Sequence, residues 1–328
     1  MEKSLEKPVI KNPHVVIIGA GASIQAFPEG DKNGYSLPSM SNLAKIPVIN
    51  STLDKHGIKD KINDFEAFFS ELFKSSKIDL LNDLETAIHS YFNNLELPSH
   101  PTIYDYLILS LRDTDVIASF NWDPFLVQAY LRVRKITDLL PTLLFLHGTV
   151  ALSRCPKDLI VDLSGNRCEK CGKMLEPIKL LYPVSKKDYT NDVYINEQWS
   201  TLNEYMKDAN GLTIFGYGAP KTDVEAINLL KSGWGNPDQR IFEEVEIINI
   251  EDEELLIKKW SDFIHSSHYS IHADYYESSI AKFPRRVNEC HFQTGNLNIW
   301  LNNHRVEPGL RFNQLEKEFR RIIKFETN

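Results

Sequence analysis

The first apolar run of the chain, residues 14–23 with the sequence HVVIIGAGAS, restricts the possible folds more than any other stretch. Its β-branched segment, Val15 to Ile18, has the length and composition of a strand buried on both faces. Small residues follow at once, as a sharp turn from strand to helix requires, and glycine lets a phosphate approach the backbone. The third glycine of a nucleotide-binding fingerprint is missing, because position 24 is Ile24. The turn is therefore either a nucleotide site or a tight connection without a ligand.

Short apolar runs alternate with segments of helical periodicity along the rest of the chain. Further strands are predicted at residues 115–120, 143–146, 212–215 and 245–250. Strands that alternate with helices predict an α/β fold with a doubly wound parallel, Rossmann-like sheet. The stretch 27–50 is rich in Pro, Gly, Ser and Asn and is expected to be a long loop. Residues 253–328 are expected to be helical.

Two amphipathic helices are expected within residues 62–94, where phenylalanine and leucine recur at helical spacing. Asn63 or Asp64 is suited to cap the first of these helices. An aromatic stripe at this spacing is typical of a hydrophobic core rather than of a cofactor site. We therefore assign the stripe to packing.

The charge and composition exclude several classes of protein. The net charge of −8, from 37 basic and 45 acidic residues, argues against a protein that coats nucleic acid or anionic membranes. The sequence has no apolar run of the roughly 18 residues that a membrane span needs, and its N-terminus lacks the apolar core of a signal peptide. Four cysteines suit a reducing cytosol better than a disulfide framework. We expect a cytoplasmic protein without membrane contact or direct nucleic-acid binding.

The carboxyl ends of the predicted strands carry glycines, amides, a histidine or acids. In a doubly wound sheet, ligands bind at these ends, near the point where the strand order reverses. The ends are residues 19–23 (GAGAS), 120–123 (FNWD), 146–148 (LHG), 215–220 (FGYGAP) and 249–252 (NIED). Their shared position predicts a ligand site at this edge of the sheet.

Some of these side chains are suited to catalysis. Asn121 and Asp123 are two residues apart, so in extended backbone both point to one face and together can hold sugar hydroxyls or a water and stabilise positive charge. Alternatively, Asn121 caps the following helix and Asp123 neutralises its N-terminus. His147 is a candidate general base, although a lone histidine is also common as a structural residue. Glu251 is either an acceptor for a ribose hydroxyl or an exposed acid at a helix start.

The ordered set GAGAS, FNWD, HG, a late G-x-G-like turn, and IN followed by an acid resembles the sirtuin-like family of NAD-dependent enzymes. The resemblance covers roughly residues 14–252 and is closest to bacterial sirtuin-like domains that degrade NAD⁺ in antiphage defence. The phenylalanine-rich insertion that begins at Asp64 is similar to that of this group. FNWD stands where the family has T-x-N-x-D, so Phe120 replaces a polar residue. Trp122 fills a position at which it could narrow the pocket for an acyl-lysine chain.

The resemblance implies a domain organisation. An NAD-binding catalytic domain would span 14–252, with a helical insertion at 62–111 and a degenerate, zinc-ribbon-like cysteine insertion at 151–183. A lead-in at 1–13 would precede it, and a helical extension at 253–328 would follow it.

The resemblance also implies roles for individual residues. Asn121 and Asp123 would hold the nicotinamide ribose and the attacking water, and His147 would act on a ribose hydroxyl or on water. The dinucleotide would also contact residues of both glycine turns and of the last predicted strand end. These residues are Gly19, Ala20, Gly21, Ala22, Ser23, Gly216, Tyr217, Gly218, Asn249 and Glu251.

Three cysteines lie where deacylases of this family carry a four-cysteine zinc ribbon. The pair Cys168 and Cys171 forms a C-x-x-C knuckle, which places two thiolates on one tetrahedral ion. Cys155 precedes them, and Asp158 stands where a second C-x-x-C would end. Either Asp158 or the distant Cys290 completes a structural zinc site, or the cluster is an empty relic, or it is a redox pair.

The resemblance predicts an NAD⁺ glycohydrolase, which cleaves NAD⁺ to nicotinamide and ADP-ribose. Since unregulated NAD⁺ depletion would kill the host, we expect control by a partner protein or an infection signal, assembly into an oligomer, and a role in abortive infection. One alternative is an NAD-dependent protein-lysine deacylase, which the cysteine cluster favours and Trp122 disfavours. Another alternative is a non-catalytic nucleotide-binding module that signals to a partner.

Overall fold

The structure, a computed structural model, describes residues 10–58, 62–184, 189, 192–220 and 223–327. A six-stranded sheet forms its centre, and a three-stranded sheet projects from it. The strands of the central sheet are β1 (His14–Ile18), β2 (Val116–Ser119), β3 (Thr142–Phe145), β7 (Gly211–Phe215), β8 (Glu244–Ile248) and β9 (Tyr269–His272). The small sheet consists of β4 (Leu152–Arg154), β5 (Val161–Leu163) and β6 (Glu176–Pro177).

Helices connect the strands and cover both faces of the central sheet. Up to β3 they are α1 (Ala20–Ala26), α2 (Pro47–Lys55), α3 (Phe65–Lys74), α4 (Ile78–Asn93), α5 (Ile103–Leu109) and α6 (Phe125–Val133). The later helices are α7 (Val193–Asp208), α8 (Val224–Trp234), α9 (Glu253–Trp260), α10 (Ser279–Lys282), α11 (Val287–Leu297) and α12 (Phe312–Thr327).

The central sheet has the strand order β3-β2-β1-β7-β8-β9 and is parallel throughout. The chain runs outward from β1 to β3, returns to place β7 beside β1, and then runs outward again on the other side. The strand order therefore reverses between β1 and β7. This is the doubly wound, Rossmann-like topology that the sequence predicts, and its ligand-binding crevice is expected at that reversal.

The core has one layer on each face of the central sheet. Every residue of β1 is fully buried, and its alternating side chains divide between the two layers. Val16 and Ile18 pack with the helical insertion, whereas Val15 and Ile17 pack with α7 and α8. A strand buried on both faces explains the continuous apolar run that opens the domain.

The predicted helical insertion forms two amphipathic helices, α3 and α4. The Asp64 side chain accepts a hydrogen bond from Ala67 N and caps α3. The apolar faces of both helices are buried, and Phe65 and Phe69 are among the largest fully buried side chains. The aromatic stripe therefore belongs to the core, as expected.

The structure corrects two sequence-based predictions. The stretch 27–50 is not simply a loop: a 3-10 helix spans Met40–Lys45, and α2 begins at Pro47, because proline suits the first helical position. Residues 253–328 are not entirely helical, because β9 adds the sixth strand beside β8. Its sequence YSIH is half-buried at a sheet edge, so it lacks the apolar run by which the other strands are recognised.

Two further expectations concern the N-terminal lead-in and helices that could cross a membrane. The lead-in predicted at 1–13 lies mostly outside the described residues. In the described part of the chain, no helix has both the length and the apolarity that crossing a membrane requires.

Candidate functional site

A cleft opens at the carboxyl ends of β1, β2, β3 and β7, where the strand order reverses. Its cavity volume is about 230 Å³. The sequence-predicted residues that line it are Gly19, Ala20, Ser23, Asn121, Asp123, His147, Gly216, Tyr217 and Gly218. The fold therefore brings four of the predicted strand ends together in one cavity, and the segment 249–252 is absent from the lining that the structure describes.

The floor of the cleft consists of the two glycine turns, which lie directly against each other. Gly21 N donates to Gly216 O at 2.9 Å. Gly216 has a φ of +62°, and a Cβ on it would lie 2.1 Å from Ala22 N. A Cβ on Gly21 would lie 2.8 Å from Gly216 Cα. Turn-on-turn packing thus requires glycine at both positions, whether or not a phosphate binds.

Asn121 holds its side-chain amide in one orientation. Its Nδ2 donates to Gly19 O at 2.9 Å and to Ser23 Oγ at 3.0 Å. Because a backbone carbonyl can only accept, the amide nitrogen must face Gly19. Within the described part of the chain, every hydrogen bond of this side chain is made by Nδ2. Asn121 therefore presents its Oδ1 to the cleft as a hydrogen-bond acceptor.

Asp123 lies beside Asn121 and is joined to it through Ser23. The Ser23 hydroxyl donates to Asp123 Oδ2 at 2.7 Å and lies 2.6 Å from the hydroxyl of Tyr104. Asp123 Oδ1 accepts from Phe125 N at 3.3 Å, at the first residue of α6. Asp123 thus does stabilise the start of the following helix, as the structural alternative supposes. Asn121 does not cap that helix.

Burial raises the pKa of Asp123 to about 6, and the hydrogen bonds from Ser23 and Phe125 N keep it from rising further. The residue as a whole is 6% exposed. The carboxylate is therefore charged at neutral pH, but its hydrogen bonds offset only part of the cost of burying that charge. Acids in active sites are commonly in this state.

His147 follows β3 and lies at the side of the cleft. Its Nε2 is 3.0 Å from the hydroxyl of Tyr189, and the two rings stack at a centroid distance of 5.8 Å. The edge of Phe120 contacts the imidazole at a centroid distance of 4.7 Å. These contacts fix the ring orientation, which a general base needs for a defined proton acceptor.

An aromatic pair forms one wall of the cleft. The rings of Phe120 and Tyr217 are parallel, with centroids 4.0 Å apart and an interplanar angle of 2°. The Tyr217 hydroxyl donates to Asp223 Oδ2 at 2.9 Å, which anchors the wall to the start of α8. Phe120 is therefore a stacking partner for the second glycine turn.

Residues of the first loop and of the helical insertion cover the cleft. Leu37, Pro38 and Met40 contribute from the segment at the first 3-10 helix, and Glu66 and Phe92 contribute from α3 and α4.

Trp122 also lines the cleft and is 5% exposed. Its ring packs edge-to-face against Phe92 and Tyr182, with centroid distances of 5.6 and 5.4 Å. The indole thus ties the helical insertion to the segment that follows the small sheet.

The charges on the lining have one sign. Glu66, Asp123 and Asp223 are acidic, and none of the described lining residues is lysine or arginine. Such a lining favours a ligand group that carries or develops positive charge.

Four predicted contact residues lie away from the lining. Gly21 and Ala22 are in the turn packing beneath the floor. Asn249 Oδ1 accepts from Glu251 N at 3.1 Å, and the Glu251 carboxylate pairs with Lys259 Nζ at 2.6 Å. These last two residues stabilise the turn into α9.

Sequence reasoning missed several residues of the site. Tyr104 on α5 looks like any core aromatic in a run of apolar residues, and Glu66 looks like an exposed acid of α3. Tyr189 follows no recognisable motif. Asp223 carried the one usable signal, because it comes shortly after a glycine turn at a strand end.

The cysteine insertion brings four potential ligands together. Each residue offers one ligand atom, a cysteine Sγ or an aspartate oxygen, and these four atoms all lie within 4.8 Å of one another. The residues are Cys155, Asp158, Cys168 and Cys171. Cys155 Sγ is 3.6 Å from Cys171 Sγ, and Asp158 Oδ2 is 3.4 Å from Cys168 Sγ. Ligands about 2.0–2.3 Å from a tetrahedral Zn²⁺ have separations near these values. The donor set therefore fits zinc, with Asp158 in the fourth position.

Cys290 lies outside this cluster. It is buried on α11, where its Sγ is 4.0 Å from Thr294 Oγ1. Of the two fourth ligands that the sequence leaves open, the geometry supports Asp158.

No family model and no curated protein matches the chain. Among solved structures, it is similar to one that describes the structural basis of sirtuin substrate affinity, with 14% identity, coverage of 81% of this chain and 90% of that chain, and a TM-score of 0.42. A structure on the mechanism and regulation of Sir2 enzymes has 13% identity, coverage of 95% and 94%, and a TM-score of 0.40. A Sir2 homologue in complex with NAD has 13% identity, coverage of 85% and 86%, and a TM-score of 0.35. At these values the functional interpretation depends on this chain's own residues.

Proposed function

We propose that the chain is a sirtuin-like NAD⁺ glycohydrolase, which uses NAD⁺ as a substrate and releases nicotinamide and ADP-ribose. One observation carries the proposal: the Asn121 amide and the Asp123 carboxylate, both hydrogen-bonded to Ser23 Oγ, line one cleft at the strand-order reversal. That cleft has an acidic lining, with no lysine or arginine among its described members.

The chemistry of NAD⁺ fits such a lining. The bond from the ribose C1′ to the nicotinamide nitrogen breaks, the electron pair leaves with nicotinamide, and positive charge moves onto the ribose. Asp123 stabilises that charge because its carboxylate is buried and has few competing partners.

Asn121 and His147 act on the water. The acceptor Oδ1 of Asn121 orients an attacking water or a ribose hydroxyl toward C1′. His147 accepts the proton that the water loses as its oxygen bonds to C1′. Both side chains are held in place by neighbours, Asn121 by Gly19 and His147 by Tyr189.

The principal alternative is an NAD-dependent protein-lysine deacylase. The cysteine cluster favours it, since deacylases of the resembled family carry a zinc ribbon at this position. Trp122 disfavours it, because the indole is buried against Phe92 and Tyr182 and occupies space beside Asn121 that an acyl-lysine chain would need.

We also propose that the cluster of Cys155, Asp158, Cys168 and Cys171 holds a structural zinc ion. The ion would cross-link the small sheet and take no part in hydrolysis.

The first experiment measures nicotinamide release from NAD⁺ by purified protein. We expect release by the wild type once an activating partner or signal is supplied, and its loss in Asn121→Ala and His147→Ala. The exposed residues Asn50 and His100 supply matched controls, Asn50→Ala and His100→Ala, which should keep full activity. Release that depends on an added acyl-lysine peptide would instead establish the deacylase. NAD⁺ binding without turnover in either assay, also in the presence of an activating partner, would support a binding module.

By the same resemblance, we propose that the enzyme is an effector of bacterial antiphage defence that is inactive until a partner protein or an infection signal acts, and that it assembles as an oligomer. Expression in cells should leave NAD⁺ intact until infection and then deplete it, and Asn121→Ala should abolish the depletion. Full activity of the isolated protein, unaffected by any partner, would contradict the regulatory part of this proposal.

A further inference from the structure

The described residues next to the cleft include one that belongs to no predicted motif and does not line the cavity. Tyr104, the second residue of α5, is fully buried. Its hydroxyl lies 2.6 Å from Ser23 Oγ and 3.4 Å from Asn121 Nδ2. Burial raises the pKa of this phenol well above its usual value, so it stays protonated and can donate a hydrogen bond.

The direction of each hydrogen bond in this group follows from the donor inventory. Asn121 Nδ2 can only donate, and it donates to Ser23 Oγ at 3.0 Å. The Asp123 carboxylate can only accept when charged, so the single hydrogen of Ser23 points to Oδ2 at 2.7 Å. The remaining lone pair of Ser23 Oγ must then accept from Tyr104.

The ring of Tyr104 is held in place from outside the group. Phe27 packs edge-to-face against it at a centroid distance of 5.7 Å. Residue 102 caps α5 in a capping box with Asp105, which fixes the turn that carries the ring. These contacts hold the Tyr104 hydroxyl in one position beneath the site, from which it donates its hydrogen bond to Ser23.

We infer that Tyr104 is a positioning residue: its buried hydroxyl locks the Ser23 hydroxyl as a donor to Asp123 and thereby sets the geometry of Asn121 and Asp123. The kinetic consequences of this inference rest on the proposed glycohydrolase function. With Tyr104 in place, Ser23 has both lone pairs occupied and no alternative rotamer for its hydrogen. Without it, the hydroxyl can rotate, and its bond to the carboxylate weakens.

The first test compares Tyr104→Phe with Tyr106→Phe. Tyr106 lies on the same helix, and its hydroxyl bonds to Glu307 O at 2.9 Å and to Leu310 N at 3.3 Å, away from the cleft. We expect Tyr104→Phe to lower kcat by about 10- to 100-fold with KM changed less than about threefold. Tyr106→Phe should keep the wild-type kinetics.

The pH profile separates positioning from general destabilisation. Asp123 faces Ser23 of α1, Tyr104 of α5 and the Phe125 amide of α6, and His147 and Glu66 line the same cleft. Because Tyr104→Phe weakens the hydrogen bond to the carboxylate, the acid limb of the kcat profile should move upward by about half a unit to one unit. An unmoved limb would overturn the inference.

A second variant keeps the inference testable if Tyr104→Phe is poorly folded. In Ser23→Ala the phenol has nothing to orient, so Ser23→Ala/Tyr104→Phe should match Ser23→Ala in kcat and in pH profile. Independent, multiplicative losses in the double variant would contradict a shared role.

A third measurement does not depend on activity. Urea unfolding at pH 5 and at pH 8 measures the free energies of a double-mutant cycle of Tyr104→Phe and Asp123→Asn. At pH 8, where Asp123 is charged, the coupling should change the unfolding equilibrium constant by about threefold to tenfold, and at pH 5 by less. Absent coupling at pH 8 refutes the positioning role. Coupling in a wild type that releases no nicotinamide, with or without its activating partner, refutes the proposed function alone.

Discussion

Two buried carboxylates, one at the edge of the central sheet and one within it, have opposite surroundings. Asp123 lies at the carboxyl ends of the strands, and Glu246 lies in the middle of β8, opposite Thr213 of β7. Burial raises the pKa of Asp123 to about 6. Burial also acts to raise the pKa of Glu246. Hydrogen bonds from His272 and Ser279 N, together with the nearby His291, outweigh burial and lower this pKa to about 2.

The number of partners explains the difference. Glu246 Oε1 lies 3.3 Å from His272 Nε2 and 2.6 Å from Ser279 N, and Oε2 accepts from Thr213 Oγ1 at 3.4 Å. Asp123 accepts one hydrogen bond from the Ser23 hydroxyl and a longer one from Phe125 N. The carboxylate within the sheet thus has several hydrogen-bond partners that stabilise its charge. The carboxylate that faces the cleft has fewer, so it can accept further hydrogen bonds from a ligand.

The largest expected effect is that of Asp123→Asn on turnover. Loss of the charge should lower nicotinamide release by about 10³-fold or more, because the developing positive charge loses its counter-charge. Nicotinamide release at saturating NAD⁺ measures it. Activity within tenfold of the wild type would remove Asp123 from the mechanism.

The same variant should make the protein more stable at pH 8. The folded pKa of Asp123 is above its unfolded value of 3.8, so ionisation costs stability as the pH rises from about 4 to about 6. A shift of this size corresponds to roughly 3 kcal/mol at higher pH. We expect Asp123→Asn to unfold at higher urea than the wild type at pH 8, with the difference vanishing near pH 4.

Glu246→Gln should have the opposite effect on stability. The folded pKa of about 2 is below its usual value of 4.5, so the stabilisation is present above about pH 4.5 and is lost as the pH falls toward 2. We expect a loss of roughly 3 kcal/mol at pH 7, measured by urea unfolding, and an unchanged acid limb of the kcat profile. A shifted acid limb would show that the two carboxylates are electrostatically coupled.

Removal of metal should have a smaller effect on stability. A chelator should lower the Tm of the wild type by about 5 °C and release about one zinc per chain. Cys168→Ser should already have the lower Tm and should not respond to the chelator. A wild type that contains no zinc and keeps its Tm would identify the cluster as an empty relic.

Glu251→Gln should have the smallest effect. Its ion pair with Lys259 is partly exposed, so the free energy of unfolding should change by less than about 0.5 kcal/mol. If Glu251 accepts a ribose hydroxyl, KM for NAD⁺ should rise about twofold to threefold with kcat unchanged. An unchanged KM would place the residue outside the binding site and confine the site to the cleft.

The sequence predicts the sheet well where strands are buried on both faces. The apolar runs of β1, β2, β3, β7 and β8 are each recognisable, and their order yields the correct topology. β9 could not be found in this way, because Tyr269–His272 alternates polar and apolar residues at a half-buried edge. The helix α2 has amphipathic periodicity, with Ile49 and Leu53 buried, but it is short and lies in a stretch whose Pro, Gly, Ser and Asn content is typical of a loop.

The candidate site was predictable to the extent that it lies at strand ends. Asn121, Asp123 and His147 meet in one cleft because parallel strands end at one edge of the sheet. Tyr104 reaches the site from a helix, through Ser23, and its local sequence differs in nothing from that of a core residue. Such a role depends on a hydrogen bond between segments 81 residues apart, which no local pattern encodes.

The interlocked glycine turns have a consequence for how a ligand would be received. Gly21 and Gly216 hold the floor of the cleft by backbone contacts that are complete before any ligand arrives. The floor therefore loses no conformational entropy on binding. The entropic cost of association is expected to fall on the covering segment around Leu37 and Met40, for which the described part of the chain shows no backbone hydrogen bond to either turn. Variation in affinity among related chains should accordingly follow the covering segment, while the two turns stay constant.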